Sequence, residues 1–139
     1  MAATAPARRP ASIGSKPSAI NSLFKLIRKK IKSEECTRAI MVAHNASFDQ
    51  GFLHAACGRT GIKRNPFHPF STIDTVSLAA IAFGHTVLSE SCNRAGLEFD
   101  QSKAHQAAYD ANRTAALFCK IVNESKFELS SRTSLAEKD

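Results

Sequence analysis

Two hydrophobic periods run through the chain from residue 21 onward. In NSLFKLIRKKIK, Leu23, Phe24, Ile27 and Ile31 share one face of a helix while Lys25, Arg28, Lys29 and Lys32 lie largely on the others, which predicts a basic amphipathic helix. RAIMVAHN is a short apolar run ending in turn formers, and it predicts a buried strand over 39–43. Ser47 and Gln50 have the spacing of a capping box, so a helix is expected from Phe48 to about Arg59, ended by Gly61. NPFHPF reads as a proline-broken loop and STIDTV as a second strand. A helix over 77–83 closed by Gly84 follows, then a short helix over 89–95 and a long final one over 107–126. Strands alternating with helices imply a parallel pair in an α/β layer structure.

Two acids break this pattern. Asp110 falls in line with Thr114, Leu117 and Ile121, the stripe of the last helix that should face a core. Asp49 stands in the first turn of the helix after the strand, with Phe52, Leu53 and Ala56 spaced after it, and is expected to point inward as well. A carboxylate taken out of water needs a cation or a set of donors. For either acid alone, helix-dipole complementarity at an N-terminus is a sufficient explanation. Two together suggest carboxylates converging on a hard divalent cation, for which oxygen ligands are suited. His105 and Asp110 are five residues apart, a rotation of about 140° on a continuous helix, so His105 belongs on the loop before it. An imidazole there could serve as a general base, although spacing alone leaves it an ordinary surface histidine.

Composition narrows the partner. The 139 residues are 43% hydrophobic and carry a formal charge of +7, enough for one domain with a modest core and a preference for anions such as RNA or DNA. Cys36, Cys57, Cys92 and Cys119 form no C-x-x-C pair and read as reduced thiols of a cytoplasmic protein. The longest apolar run, Leu78 to Phe83, is far short of a bilayer span, and no membrane association is expected. Residues 1–20, with three prolines, three basic residues and no acid, are expected to form a disordered basic tail; 127–139 are expected to form a flexible C-terminal tail around a domain at 21–126. His44, His54, His68 and His85 show no zinc spacing, and His44 is assigned a structural role at the strand end.

HNASFDQGFL (44–53) and HQAAYD (105–110) resemble the second and third motifs of the DEDDh family of 3′–5′ exonucleases, and the likeness extends from about residue 21 to about 125. The resemblance implies a ribonuclease H-like α/β fold, here truncated, and removal of nucleotides from the 3′ ends of tRNA and other stable RNAs. It further implies two divalent ions, Mg2+ or Mn2+, held by four acids. By the same resemblance Asp49 and Asp110 are metal ligands, His105 is the catalytic base, and Phe48 and Phe70 stack terminal bases; burial in a core would be the ordinary role for Phe48, while Phe70, in the proline loop, is expected to be exposed. Lys32, Arg38, Lys63 and Arg64 match or adjoin the family's RNA-holding patch. The implied assembly is a homodimer in which one protomer's patch holds a single-stranded 3′ end, of RNA or DNA, for the other's site.

The sequence departs from that pattern at its start. The family's first motif, D-x-E on an early strand, has no counterpart: none of the 48 residues before Asp49 is an aspartate, and the glutamates there, Glu34 and Glu35, follow the basic helix. The chain reads as the C-terminal portion of such an exonuclease behind an unrelated leader, with poor or no activity of its own. The competing reading is a catalytically inactive RNA-binding or dimerisation module that keeps the basic surface.

Overall fold

A computed structural model describes residues 16–125; the expected tails before Lys16 and after Ser125 lie outside the described residues. Helix α1 (Lys16–Ser33) leads into strand β1 (Ala39–Ala43), then α2 (Ala46–Thr60) and β2 (Phe67–Asp74). Helices α3 (Thr75–Phe83), α4 (Leu88–Arg94) and α5 (Ala107–Glu124) follow, with a 3-10 turn at Gln101–Lys103 before α5. The basic helix therefore starts at Lys16, and residues 16–20, expected in the tail, belong to it. Its inward face is anchored by Phe24, fully buried against Phe67 with ring centroids 6.4 Å apart. Leu23, assigned to the same face, is instead 47% exposed. Phe24 occupies the middle of the inward stripe, and Leu23 is rotated about 100° from it.

The two strands pair in parallel, as the alternation of elements predicts, with Val42 opposite Ile73 and Ala43 opposite Asp74. At the other end the register slips. Ala39 faces Phe67 while Met41 faces Thr72, so β2 spends three more residues than β1 over the same span. NPFHPF is thus not a free loop: Phe67–Phe70 enter the strand, and the bulge accommodates Pro69, which has no N–H to give the ladder. His68 stabilises the detour, its Nδ1 accepting from the amides of Ser71 (2.9 Å) and Phe70 (3.4 Å). Phe70 is left at the crest, 79% exposed.

The core lies where α3, α4 and α5 meet. Ala79, Cys92, Ala95, Leu117 and Ile121 are buried there, with Leu78, Phe83, Leu88, Leu97 and Phe99 packed around them. The α5 stripe behaves as its spacing predicts, with Thr114, Leu117 and Ile121 all buried. Arg94 bridges α4 to the end of α3, where Nη1 donates to the Phe83 and Gly84 carbonyls. Gly61 and Gly84 end α2 and α3 in the left-handed region, both at φ 67°, where a Cβ would be strained.

Candidate functional site

The amides of the turn between β1 and α2 are capped from β2, not by the turn's own side chains. Asn45 is left-handed (φ 69°) and its side chain makes no cap bond, so the first amides of α2 need an outside acceptor. Asp74 supplies it. One carboxylate oxygen accepts from the Asn45 amide and the other from the Ala46 amide, both at 3.0 Å, while the Val76 amide at the head of α3 also donates to it at 2.9 Å. Partial burial works against ionisation of this carboxyl. The amides of Val76, Asn45 and Ala46, with a further contribution from His44, outweigh that and hold its pKa below the usual carboxylate value. The capping box expected of Ser47 and Gln50 is absent: α2 begins two residues early, Ser47 reaches the Asn45 side chain, and Gln50 reaches the Pro69 carbonyl.

His44 clamps the same turn from its other side. Its Nε2 donates to the Thr86 carbonyl at 2.8 Å, and Nδ1 lies 2.9 Å from the Thr75 hydroxyl, which also reaches the Ala43 carbonyl at 3.2 Å. The structural role assigned to His44 is therefore concrete: it ties the end of β1 to α3 and to the loop before α4. The reach of Asp74 to α2 has no local mark in the sequence, because those two partners are 28 and 29 residues away; its local signal is an aspartate closing a strand directly before a helix, the N-cap position from which it also takes the Val76 amide.

The clamped turn and α5 enclose a cleft of about 750 Å3 at the carboxyl end of β1. Its walls include Val42, His44, Phe48, Thr114 and Phe118, and both Asp49 and Asp110 line it. Open α/β sheets take ligands at the carboxyl ends of their strands. Asp110 is half-buried at the open end of the α5 stripe, which answers why an acid interrupts that stripe: the helix leaves the core there and passes the cleft. Asp49 does not point into the protein interior as expected. The buried line of α2 runs through Ala46 and Cys57, and Asp49 stands to one side of it, exposed at the cleft. Phe52, expected inward after Asp49, is 62% exposed for the same reason.

His105 does lie in the turn before α5, exposed and left-handed at φ 67°, five residues ahead of Asp110. It is not among the residues that line the cleft. Phe48 is at the rim, 61% exposed, so the core role that would be ordinary for it does not apply. Two carboxylates alone fall short of a metal cage, and among the described residues no three of His, Cys, Asp or Glu converge as ligands.

The basic residues gather at the opposite end of the strands. Arg38 immediately precedes β1 and lines two adjoining hollows, one shared with Lys32 and Arg28, the other with Lys63 and His54. Arg64 lines neither, but its carbonyl accepts from Arg28. Among the described residues, none of Lys32, Arg38, Lys63 and Arg64 is ion-paired; the pairs are Lys30–Glu34, Arg94–Glu90, Lys103–Asp100 and Lys120–Glu124.

A parallel strand pair flanked by helices, with two acids over the carboxyl end of the first strand, defines an α/β domain of the exonuclease class. Residues 21–118 match the RNase T exonuclease family, and the chain belongs to it. It is 61% identical over 108 residues to ribonuclease T of Hahella chejuensis, which covers 78% of this chain and 50% of that protein. It is 57% identical over the same length, with the same coverage, to ribonuclease T of Escherichia coli K12 and of Shigella flexneri. The chain thus spans about half the length of the curated relatives it matches. Exonucleases of this family generally use divalent metal ions. No described helix is long and apolar enough to cross a membrane.

Proposed function

We propose that residues 21–118 contribute two metal-holding carboxylates, Asp49 and Asp110, and, from the exposed turn just before α5 rather than from the cleft wall, a general base, His105, to a 3′–5′ exoribonuclease of the ribonuclease T type, acting on the 3′ ends of tRNA and other stable RNAs. The observation that carries this reading is that two acids separated by 61 positions in sequence line one cleft. Two divalent ions, Mg2+ or Mn2+, would neutralise the attacking and leaving oxygens of the phosphodiester. The described residues do not by themselves fit that pair of ions, since only two carboxylates meet at the cleft; the remaining ligands would come from outside residues 16–125. Phe48 and the exposed Phe70 would stack bases, a contact that needs no particular base edge.

Lys32, Arg38, Lys63 and Arg64 would hold RNA by its phosphates. They cluster at the amino ends of strands whose carboxyl ends carry the acids. A strand of five residues spans roughly 16 Å. That separation favours a homodimer in which the patch of one protomer serves the cleft of the other. Unpaired free thiols are in keeping with a cytoplasmic location.

The test is release of nucleotide from single-stranded RNA with Mg2+, against the Asp110→Asn variant. Residues 1–139 alone are expected to be very poor in this assay, because ligands that act as a unit lose orders of magnitude in rate when some are missing. Robust turnover that Asp110→Asn leaves intact would sink the assignment. The lack of a third ligand among the described residues supports a second reading, an RNA-binding or dimerisation module without catalysis. RNA binding that is tight and indifferent to chelator would favour it.

A further inference from the structure

The outer face of α2 carries a second aromatic residue that the cleft does not use. Phe52 lies one turn beyond Phe48, their ring centroids 4.6 Å apart and their planes tilted at 48°. An i,i+4 aromatic pair can be no more than a local helix contact. Here, however, the pair buries little of either ring, for Phe48 stays 61% and Phe52 62% exposed. Between the rings and Arg59 is a shallow hollow floored by Ser47, Gly51 and Ala55, of about 360 Å3. The floor is low because Gly51 has no side chain and a Cβ there would meet nothing within 4 Å. Phe48 borders both this hollow and the cleft holding Asp49 and Asp110, so the two adjoin at its ring.

We propose that Phe52 is a nucleobase-stacking residue for the nucleotide next to the terminal one in a single-stranded RNA, with Arg59 placed for its phosphate. This rests on the nucleic-acid reading of the cleft given above. A terminal nucleotide seated in the cleft against Phe48 brings its neighbour over the hollow, where the outward face of Phe52 is open. Arg59 is seven residues along, on the same side of α2 and roughly 10 Å further on. It forms no ion pair among the described residues. A cation beside an open aromatic face suits a base with its phosphate better than an apolar helix from a protein partner, and the chain's charge of +7 points the same way.

The experiment is an NMR titration in EDTA of wild type, Phe52→Leu and Phe52→Tyr with UMP and with the dinucleotide UpU, alongside sedimentation of each variant. Phe52 is exposed, so neither substitution should unfold the chain, which a melting curve checks. Stacking is worth about 1–3 kcal/mol per base, so Phe52→Leu should weaken UpU roughly 5- to 150-fold and leave UMP unchanged, while the ring-preserving Phe52→Tyr should bind UpU as wild type does. Equal binding of UpU by wild type and Phe52→Leu overturns the proposal. A drop in sedimentation for Phe52→Leu with unchanged UpU affinity also overturns it, and makes the face a self-association surface. Failure of the wild type to bind either ligand both in EDTA and with Mg2+ present would instead remove the nucleic-acid reading itself, and this proposal with it.

Discussion

The Asp74 carboxylate at the end of β2 accepts the backbone amide of Ala46 at 3.0 Å, so the start of the helix that carries Asp49 is capped by a residue 28 positions later. Because the same group also caps α3, one side chain orients two helices at the mouth of the cleft.

Replacing Asp74 should therefore cost more than a single cap. Asp74→Asn keeps one acceptor oxygen and loses the charge, and should destabilise the protein by about 1–2 kcal/mol near neutral pH. The pH dependence has a definite sign. The folded pKa is lowered from 3.8, so the advantage of wild type is complete above the unfolded value and disappears as pH falls through the folded one. Urea unfolding of both proteins across that range tests this; a gap independent of pH would refute it.

Leu117 is fully buried at the centre of the α3–α4–α5 core. Leu117→Ala should lose roughly 2–5 kcal/mol, enough to threaten a domain of this size. Ala111→Ser, on the exposed side of the same helix, should change stability by less than about 0.5 kcal/mol. Thermal unfolding by circular dichroism separates the two.

Charge reversal is not needed to test the basic patch. Converting Arg38 and Lys63 together to glutamine should weaken a short RNA of any sequence alike and reduce the slope of log affinity against log salt by roughly 1–2. Fluorescence anisotropy over a salt series gives that slope. An unaltered slope would mean the two residues form only a solvated surface.

Thiol chemistry should divide the four cysteines evenly. Cys36 and Cys119 are exposed, whereas Cys57 and Cys92 are buried, and burial pushes the Cys92 thiol up. A disulfide reagent near pH 8 should consume two thiols rapidly and the other two only on unfolding. Fast reaction of all four would show that the small core opens readily.

Strand β1 follows from its apolar run over 39–43, the ends of α2 and α3 from Gly61 and Gly84, and the buried face of α5 from the spacing of Thr114, Leu117 and Ile121. These depend on neighbours within a turn or two, which periodicity captures. NPFHPF misleads for the opposite reason. Its prolines signal a break, yet pairing with β1 draws Phe67–Phe70 into β2 and accommodates the break as a bulge. The capping-box spacing of Ser47 and Gln50 misleads similarly, because Asp74 caps the Asn45 and Ala46 amides and so starts α2 ahead of Ser47, which lies inside the helix.

By itself the sequence determined the buried stripe of α5, the parallel strand pair and the presence of an acid in the first turn of both α2 and α5, since each is written in local spacing. Only the tertiary structure decided that Asp49 stands exposed beside its helix's buried line yet shares a cleft with Asp110, that His105 stays off that cleft, and that Arg38, Lys32 and Lys63 gather at the far end of the strands. The physical reason is that spacing sets which way a side chain faces on its own helix, whereas what it meets there depends on how separate elements pack, and a carboxylate such as Asp74 can redirect a helix start from 28 residues away.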